Sequence, residues 1–282
     1  MQKDPQYARA YYGIGNEEIA LIHFTAGDPK PGFERARAAF RRAIELDPEF
    51  ADAHGVLAIV LYNADWDWPS AEREALTALR NGGHATHTFY GWALATRGRF
   101  REAQEQFRIA EDFDLLSLGP RFDQMLAFYL ERRYADAKSV LNGMLQMKPD
   151  ALDAHAFLGL IGAVEHDCAT ADREFEWCAR TFPMPVSKFG LAVASACRGD
   201  QQSSRAYLKQ MMEAAGPDYI SPYQIALGFA FIHDKEAALT YLGKLAEARE
   251  GQILYLKYEP VFDEIRSDPR YLELERRTGL AP

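Results

Sequence analysis

Apolar residues recur along this chain at spacings of three and four, the period of helices that bury one face. They do so in a repeating layout. Ala36-x3-Phe40-x2-Ala43 is followed by Asp47-Pro48, with the alanine and the proline 12 residues apart. The layout returns as Ala137-x3-Leu141-x2-Met144 before Pro149 and as Ala171-x3-Phe175-x2-Cys178 before Pro183. Pro149 and Pro183 are 34 residues apart, and the 101 residues from Pro48 to Pro149 hold about three such units. A second pattern opens six residues after two of these prolines, as His54-x2-Leu57-Ala58-x2-Leu61 and His155-x2-Leu158-Gly159-x2-Gly162. His87-x2-Tyr90-Gly91-x2-Leu94 is a third copy.

Two helical patterns per period make a hairpin of a helix A and a helix B. Small residues (Gly91, Gly159, Ala36, Ala103, Ala137, Ala171) let the two helices approach, and Leu57, Leu158, Phe40, Phe107 and Phe175 fill the space around the contact. The proline ends helix B because it cannot continue the hydrogen-bond ladder. Short polar or glycine turns divide the hairpins at Arg97-Gly98-Arg99, Glu131-Arg132-Arg133, Glu165-His166-Asp167, Arg198-Gly199-Asp200 and His233-Asp234-Lys235. Counting helix B by Ala36, Ala71, Ala103, Ala137, Ala171, a degenerate position near Ser203, and Ala238 gives about seven hairpins. The first departs from the period: Tyr11 to Ala36 is 25 residues, which predicts a longer helix A and a Pro/Gly loop near 27–32. Glu259-Pro260 and Asp268-Pro269 each open a short helix predicted to cap the stack, so the array spans 1–249 and the capping helices 250–282. The start, Lys3 to Ala8, reads as the tail of one repeat entering the next, as if the chain began inside a longer array.

These patterns resemble the tetratricopeptide (TPR) signature W-x2-L-G-x2-Y…A-x3-F…P, with His in place of Trp. The resemblance implies an all-α, right-handed superhelical solenoid in which each hairpin gains its core by stacking on the next. Further segments are similar to the C-terminal TPR arrays of bacterial multidomain signalling proteins, where such arrays follow a winged-helix, Ser/Thr kinase or nucleotide cyclase domain. They are Tyr62-Asn63-Ala64-Asp65-Trp66-Asp67-Trp68, His84-Ala85-Thr86-His87, Ser221-Pro222-Tyr223-Gln224, and the run from Tyr255 through Glu259-Pro260-Val261-Phe262-Asp263 to Tyr271. No phosphate loop, kinase motif or basic recognition helix accompanies them, so the resemblance implies the sensing or docking half of a regulatory protein.

Composition narrows the function. A net charge of −9 and a pI near 5.4 disfavour direct nucleic-acid binding. No stretch approaches the ~18 apolar residues of a membrane span, and the first residues carry no signal core. Three cysteines without CxxC spacing, Cys168, Cys178 and Cys197, predict buried thiols in a cytoplasmic protein.

Catalytic constellations are absent, and no cofactor or metal is predicted. His84, His87 and Asp65 could be imagined as a metal-dependent hydrolase site, but His54, His87 and His155 share one repeat position, which makes His87 architecture. The tryptophans of Asp65-Trp66-Asp67-Trp68 are expected to close a turn, with the aspartates solvated or capping helix B. In TPR proteins ligands usually lie on the helix A side. Counting from the signature position, that groove receives Tyr12, Asn16, Tyr62, Asn63, Thr88, Trp92, Thr96, Phe122 and Tyr129, an aromatic and amide surface suited to a protein or peptide. For Phe122 and Tyr129, packing between repeats is the alternative. The Lys/Arg clamp of TPRs that hold C-terminal carboxylates is missing: the first helix A offers Tyr12 and Asn16, the third Ala85, Thr88 and Phe89. The expected function is a non-catalytic protein-binding scaffold. A self-associating homo-oligomer is the alternative.

Overall fold

The glycines of helix A explain why the hairpins close. In the computed structural model, which describes residues 7–24, 30–214, 220–248 and 251–279, an alanine Cβ at Gly91 would lie 2.5 Å from the Phe107 ring, and one at Gly159 would lie 3.0 Å from the Phe175 ring. Phe175 is received on its other side by Gly190. Each large ring therefore fits only because a helix backbone is bare where it lands.

The chain divides into two compact units, residues 1–120 and 121–282. The first holds α1 (Ala8–Phe24), α2 (Lys30–Leu46), α3 (Ala51–Val60), α4 (Trp68–Arg80), α5 (Thr86–Ala95) and α6 (Phe100–Phe113). Its hairpins α1/α2, α3/α4 and α5/α6 pack in chain order, with α2 on α3 and α4 on α5. The second unit contains all but the first two residues of α7 (Gly119–Leu130), then α8 (Tyr134–Met147), α9 (Leu152–Val164), α10 (Cys168–Thr181), α11 (Ser187–Cys197), α12 (Gln201–Ala214), α13 (Pro222–Phe231) and α14 (Lys235–Ala248). Two 3-10 turns, Gly251–Tyr255 and Pro260–Ile265, and α15 (Pro269–Arg277) follow. The described residues contain no strand.

The repeat period reappears in the backbone. Gly98, Arg132, His166, Gly199 and His233 all have left-handed φ, between 56° and 79°. In each case the next amide bonds back to a carbonyl five residues earlier: Arg99 to Leu94, Arg133 to Phe128, Asp167 to Gly162, Asp200 to Ser195 and Asp234 to Phe229, at 2.8–3.0 Å. This is the Schellman closure of helix A. In three of the turns that following residue is an aspartate that also opens helix B: Asp167, Asp200 and Asp234 accept from the amides of Thr170, Ser203 and Ala237. One residue thus ends one helix and starts the next. The degenerate sixth hairpin obeys the same rule, its small position being Ser204, buried and donating to the Ala192 carbonyl at 2.8 Å.

Two expectations are corrected. Lys30, Pro31 and Gly32 are the first turn of α2 rather than a loop, with Pro31 at a position where its missing N–H has no helical partner to lose; Gly27, Asp28 and Pro29 lie outside the described residues, as do Met1 to Gln6. Cys168 and Cys197 are not free thiols. They form a disulfide with Cα atoms 5.5 Å apart, joining the start of α10 to the end of α11. The cysteine count could not reveal this, because the two residues, 29 apart in sequence, meet only when adjacent hairpins stack. The inference to a reducing compartment rested on unpaired thiols, and that premise falls away. Cys178 remains a buried thiol, its pKa pushed up to about 11 by burial.

Candidate functional site

The histidines at the first signature position are hydrogen-bonded clasps. His155 Nδ1 lies 2.6 Å from Glu174 Oε2 and its Nε2 3.1 Å from the Pro149 carbonyl. His54 repeats the arrangement with Glu74 at 2.5 Å and the Pro48 carbonyl at 3.0 Å, and His87 meets Gln106 at 2.7 Å. His84 and His87 stack with Phe113, while Asp65 pairs with Arg37. Those three residues therefore do not converge on a common centre, and the described residues contain no cluster of three or more potential metal ligands. No described helix is long and apolar enough to cross a membrane.

In the first unit the predicted groove residues separate into floor and surface. From His54 to the left-handed Trp66 is 12 residues, against 11 from His87 to Gly98 and from His155 to His166. The extra residue is taken up as a π-helical turn, Leu61–Asp65, at the end of α3. Tyr62 lies in that turn and is buried, its ring against Trp68 and Phe89 and its hydroxyl on Thr96 Oγ1. Thr96 is buried as well and bonds the Trp92 carbonyl at 3.2 Å. These two residues tie α3 to α5. Tyr12, Asn16, Asn63, Thr88 and Trp92 are half-buried, with Tyr12 packed on Phe40 and Phe50 and Trp92 edge-on to Phe107. Asp67 caps α4 by accepting from the Ser70 amide, and Trp68 is buried beside it.

In the second unit two helices A, α7 and α13, meet the chain's own C-terminal segment. Phe122 is half-buried against Phe157. Tyr129 is fully buried and donates to Glu259 Oε1 at 2.6 Å. Tyr223, from α13, donates to the other oxygen of Glu259 at 2.5 Å, and the Val261 amide completes the set at 3.2 Å. Burial raises the Glu259 carboxyl above the usual carboxylate range, although the two phenols and the amide pull it down. Burial and the facing carboxylate raise both phenols well above the usual tyrosine value. Arg132 reaches Asp263 at 2.8 Å, and Tyr223 packs edge-on to Tyr255 and Phe262. The predicted short helices exist, opened by Glu259 and Asp268, and α15 packs on α14. Beyond capping the last hairpin, the segment reaches back to α7. The roles of Glu259 and Tyr223 were missed: a glutamate before proline reads locally as a cap, and nothing in the chain order links it to a tyrosine 130 residues earlier.

No family model and no curated protein matches the sequence. Solved structures match the fold. PilW, a type IV pilus biogenesis factor, is 17% identical with a TM-score of 0.62 over 77% of this chain and 96% of PilW. A tetratricopeptide repeat protein from Parabacteroides merdae is 11% identical with a TM-score of 0.65 over 90% and 98%. Yeast Tom70 is 13% identical with a TM-score of 0.62 over 97% of this chain and 60% of Tom70. The fold class is therefore the all-α TPR solenoid.

Proposed function

We propose that the chain is a non-catalytic scaffold for a protein or peptide partner, the docking or sensing module of a bacterial regulatory protein, with the array at 1–249 and the closing segment at 250–282. One observation carries the reading: in the first unit, successive helices A present half-buried aromatic and amide side chains, Tyr12, Asn16, Asn63, Thr88 and Trp92, over a floor fixed by Tyr62 and Thr96. Such side chains offer stacking and hydrogen bonds at small entropic cost. The neighbours in fold support a scaffold, since one is named for pilus biogenesis rather than for a reaction. The cystine supports maturation in an oxidising compartment in place of the cytoplasm.

The test is capture from a bacterial lysate by the wild-type chain beside Asn63→Arg/Thr88→Arg, which adds bulk and charge to the surface without removing a core side chain. A partner held by wild type and lost by the variant, at unchanged helicity, supports the reading. Equal capture by both would remove the first unit's helix A face as the docking surface.

A further inference from the structure

We propose that the Tyr129/Tyr223 pocket between α7 and α13, two helices A of the second unit, is a docking site for an acidic peptide in 3-10 turns in which a glutamate precedes a proline and an aromatic residue follows, and that residues 251–268 occupy it in cis. The inference rests on the reading of the chain as a peptide-binding scaffold. It names the ligand chemistry and the built-in competitor.

The occupant has the character of a bound peptide. Its first part forms two short 3-10 turns instead of a helix hairpin, and it departs from the repeat that builds the rest of the unit. It carries its own cross-links, Arg266 donating to the carbonyls of Leu256, Lys257 and Glu259 within 2.9 Å, and the Tyr271 hydroxyl of α15 ties it to the following helix through the Leu256 carbonyl. A segment braced in this way opens and closes as a unit.

The site has the character of a reader. Burying a carboxylate is costly, and an apolar side chain at position 259 would be cheaper to bury than a glutamate held by phenols. What the carboxylate adds is discrimination. Tyr129 on α7 and Tyr223 on α13 both donate to it, so a segment lacking an acidic group there leaves two buried hydroxyls without an acceptor. Register is fixed by Arg132 on Asp263, an exposed and individually weak pair, and at the start of α14 by Lys235 on the buried Asp268. Adhesion comes from Ile253, Leu254, Leu256, Phe262 and Ile265, all buried. Tethering gives the cis segment an effective concentration on the order of millimolar, so an outside peptide binds measurably only when the cis contact is weakened.

The experiment titrates a fluorescent synthetic peptide of residues 251–272 into the full chain and reads anisotropy. Glu259→Lys damages the cis ligand and leaves the site intact, so it should bind the peptide at least ~10-fold more tightly than wild type. Adding Tyr129→Phe/Tyr223→Phe to that variant should reverse the gain. Equal affinity of wild type and Glu259→Lys, or a gain that ignores the two phenols, overturns the proposal. Hydrogen exchange on the wild-type chain gives an answer even if the variant unfolds: amides of 251–268 should exchange together and faster than those of α13 and α14, and exchange in step with those helices overturns it. A wild-type dimer dissociated by the peptide would assign the site to a second copy and overturn the cis occupancy. Capture lost through Asn63→Arg/Thr88→Arg concerns the other unit, so the scaffold reading and this proposal can fail separately.

Discussion

Gly91 and Gly143 are both helical, and their replacement by alanine should have opposite signs. At Gly91 the added methyl meets the Phe107 ring, whereas at Gly143, in α8, nothing lies within 4 Å. Gly91→Ala should lower stability by about 1–3 kcal/mol through overpacking. Gly143→Ala should raise it by about 0.5–1 kcal/mol, because the folded helix already has room and the unfolded chain loses freedom. Urea midpoints at constant m-value would read both. The histidine clasp makes a similar point about polarity. A packing aromatic is usual at position 155, yet His155→Phe would remove a partner from Glu174, which is 7% exposed. The expected loss is about 1–3 kcal/mol, the range for a buried acceptor deprived of a donor. A variant as stable as wild type would show that Arg173 alone satisfies Glu174.

At the scale of elements, the turn between helix A and helix B is where local chemistry is densest. Asp167, Asp200 and Asp234 have carboxyls held below their usual range. Hydrogen bonds from Thr170 and Ser203 account for the first two, and Arg205 foremost for the third. A depressed carboxyl stabilises the fold above its unfolded value, near 3.9, and that contribution is lost as pH falls through the lower folded value. Thermal stability should therefore fall below about pH 4. Asp200→Asn keeps a capping oxygen that does not titrate, so the fall should be shallower in melts recorded from pH 6 to pH 2.5. A curve parallel to wild type would exclude this cap as a source of the acid response. The turn residues themselves vary (Gly98, Arg132, His166, Gly199, His233) while the left-handed backbone does not. The conformation belongs to the hairpin, and sequence hints at it only where glycine occurs.

At the level of the whole molecule, two links between residues far apart in sequence lie within the second unit. The Cys168–Cys197 bond staples α10 to α11 beside the Asp172–Arg198 ion pair. Closing a loop of 29 residues in the unfolded chain contributes on the order of 3–4 kcal/mol in the chain-entropy description. Cys168→Ser/Cys197→Ser should lose stability of that order. Alkylation of the unreduced, denatured protein should label Cys178 alone. Three labelled cysteines in protein made under oxidising conditions would show that the bond does not form. The carboxylate of Glu259, held by Tyr129 and Tyr223, is the second such link, and it joins the C-terminal segment to α7 and α13.

The repeat, the hairpins, their turns and the small-against-large packing of Gly91 on Phe107 and Gly159 on Phe175 are legible in the order of the residues, because each depends on positions within one period of about 34. The groove candidates among the helix A side chains follow from register alone. Stacking sets how those side chains pack. The single extra residue before Trp66, absorbed as a π-helical turn, accompanies the burial of Tyr62. Stacking of hairpins brought Cys168 to Cys197, and the return of the C-terminal segment brought Glu259 to Tyr129. The physical reason is the same in each case: helical periodicity is a local property legible along the chain, whereas pairing across hairpins depends on how successive hairpins stack.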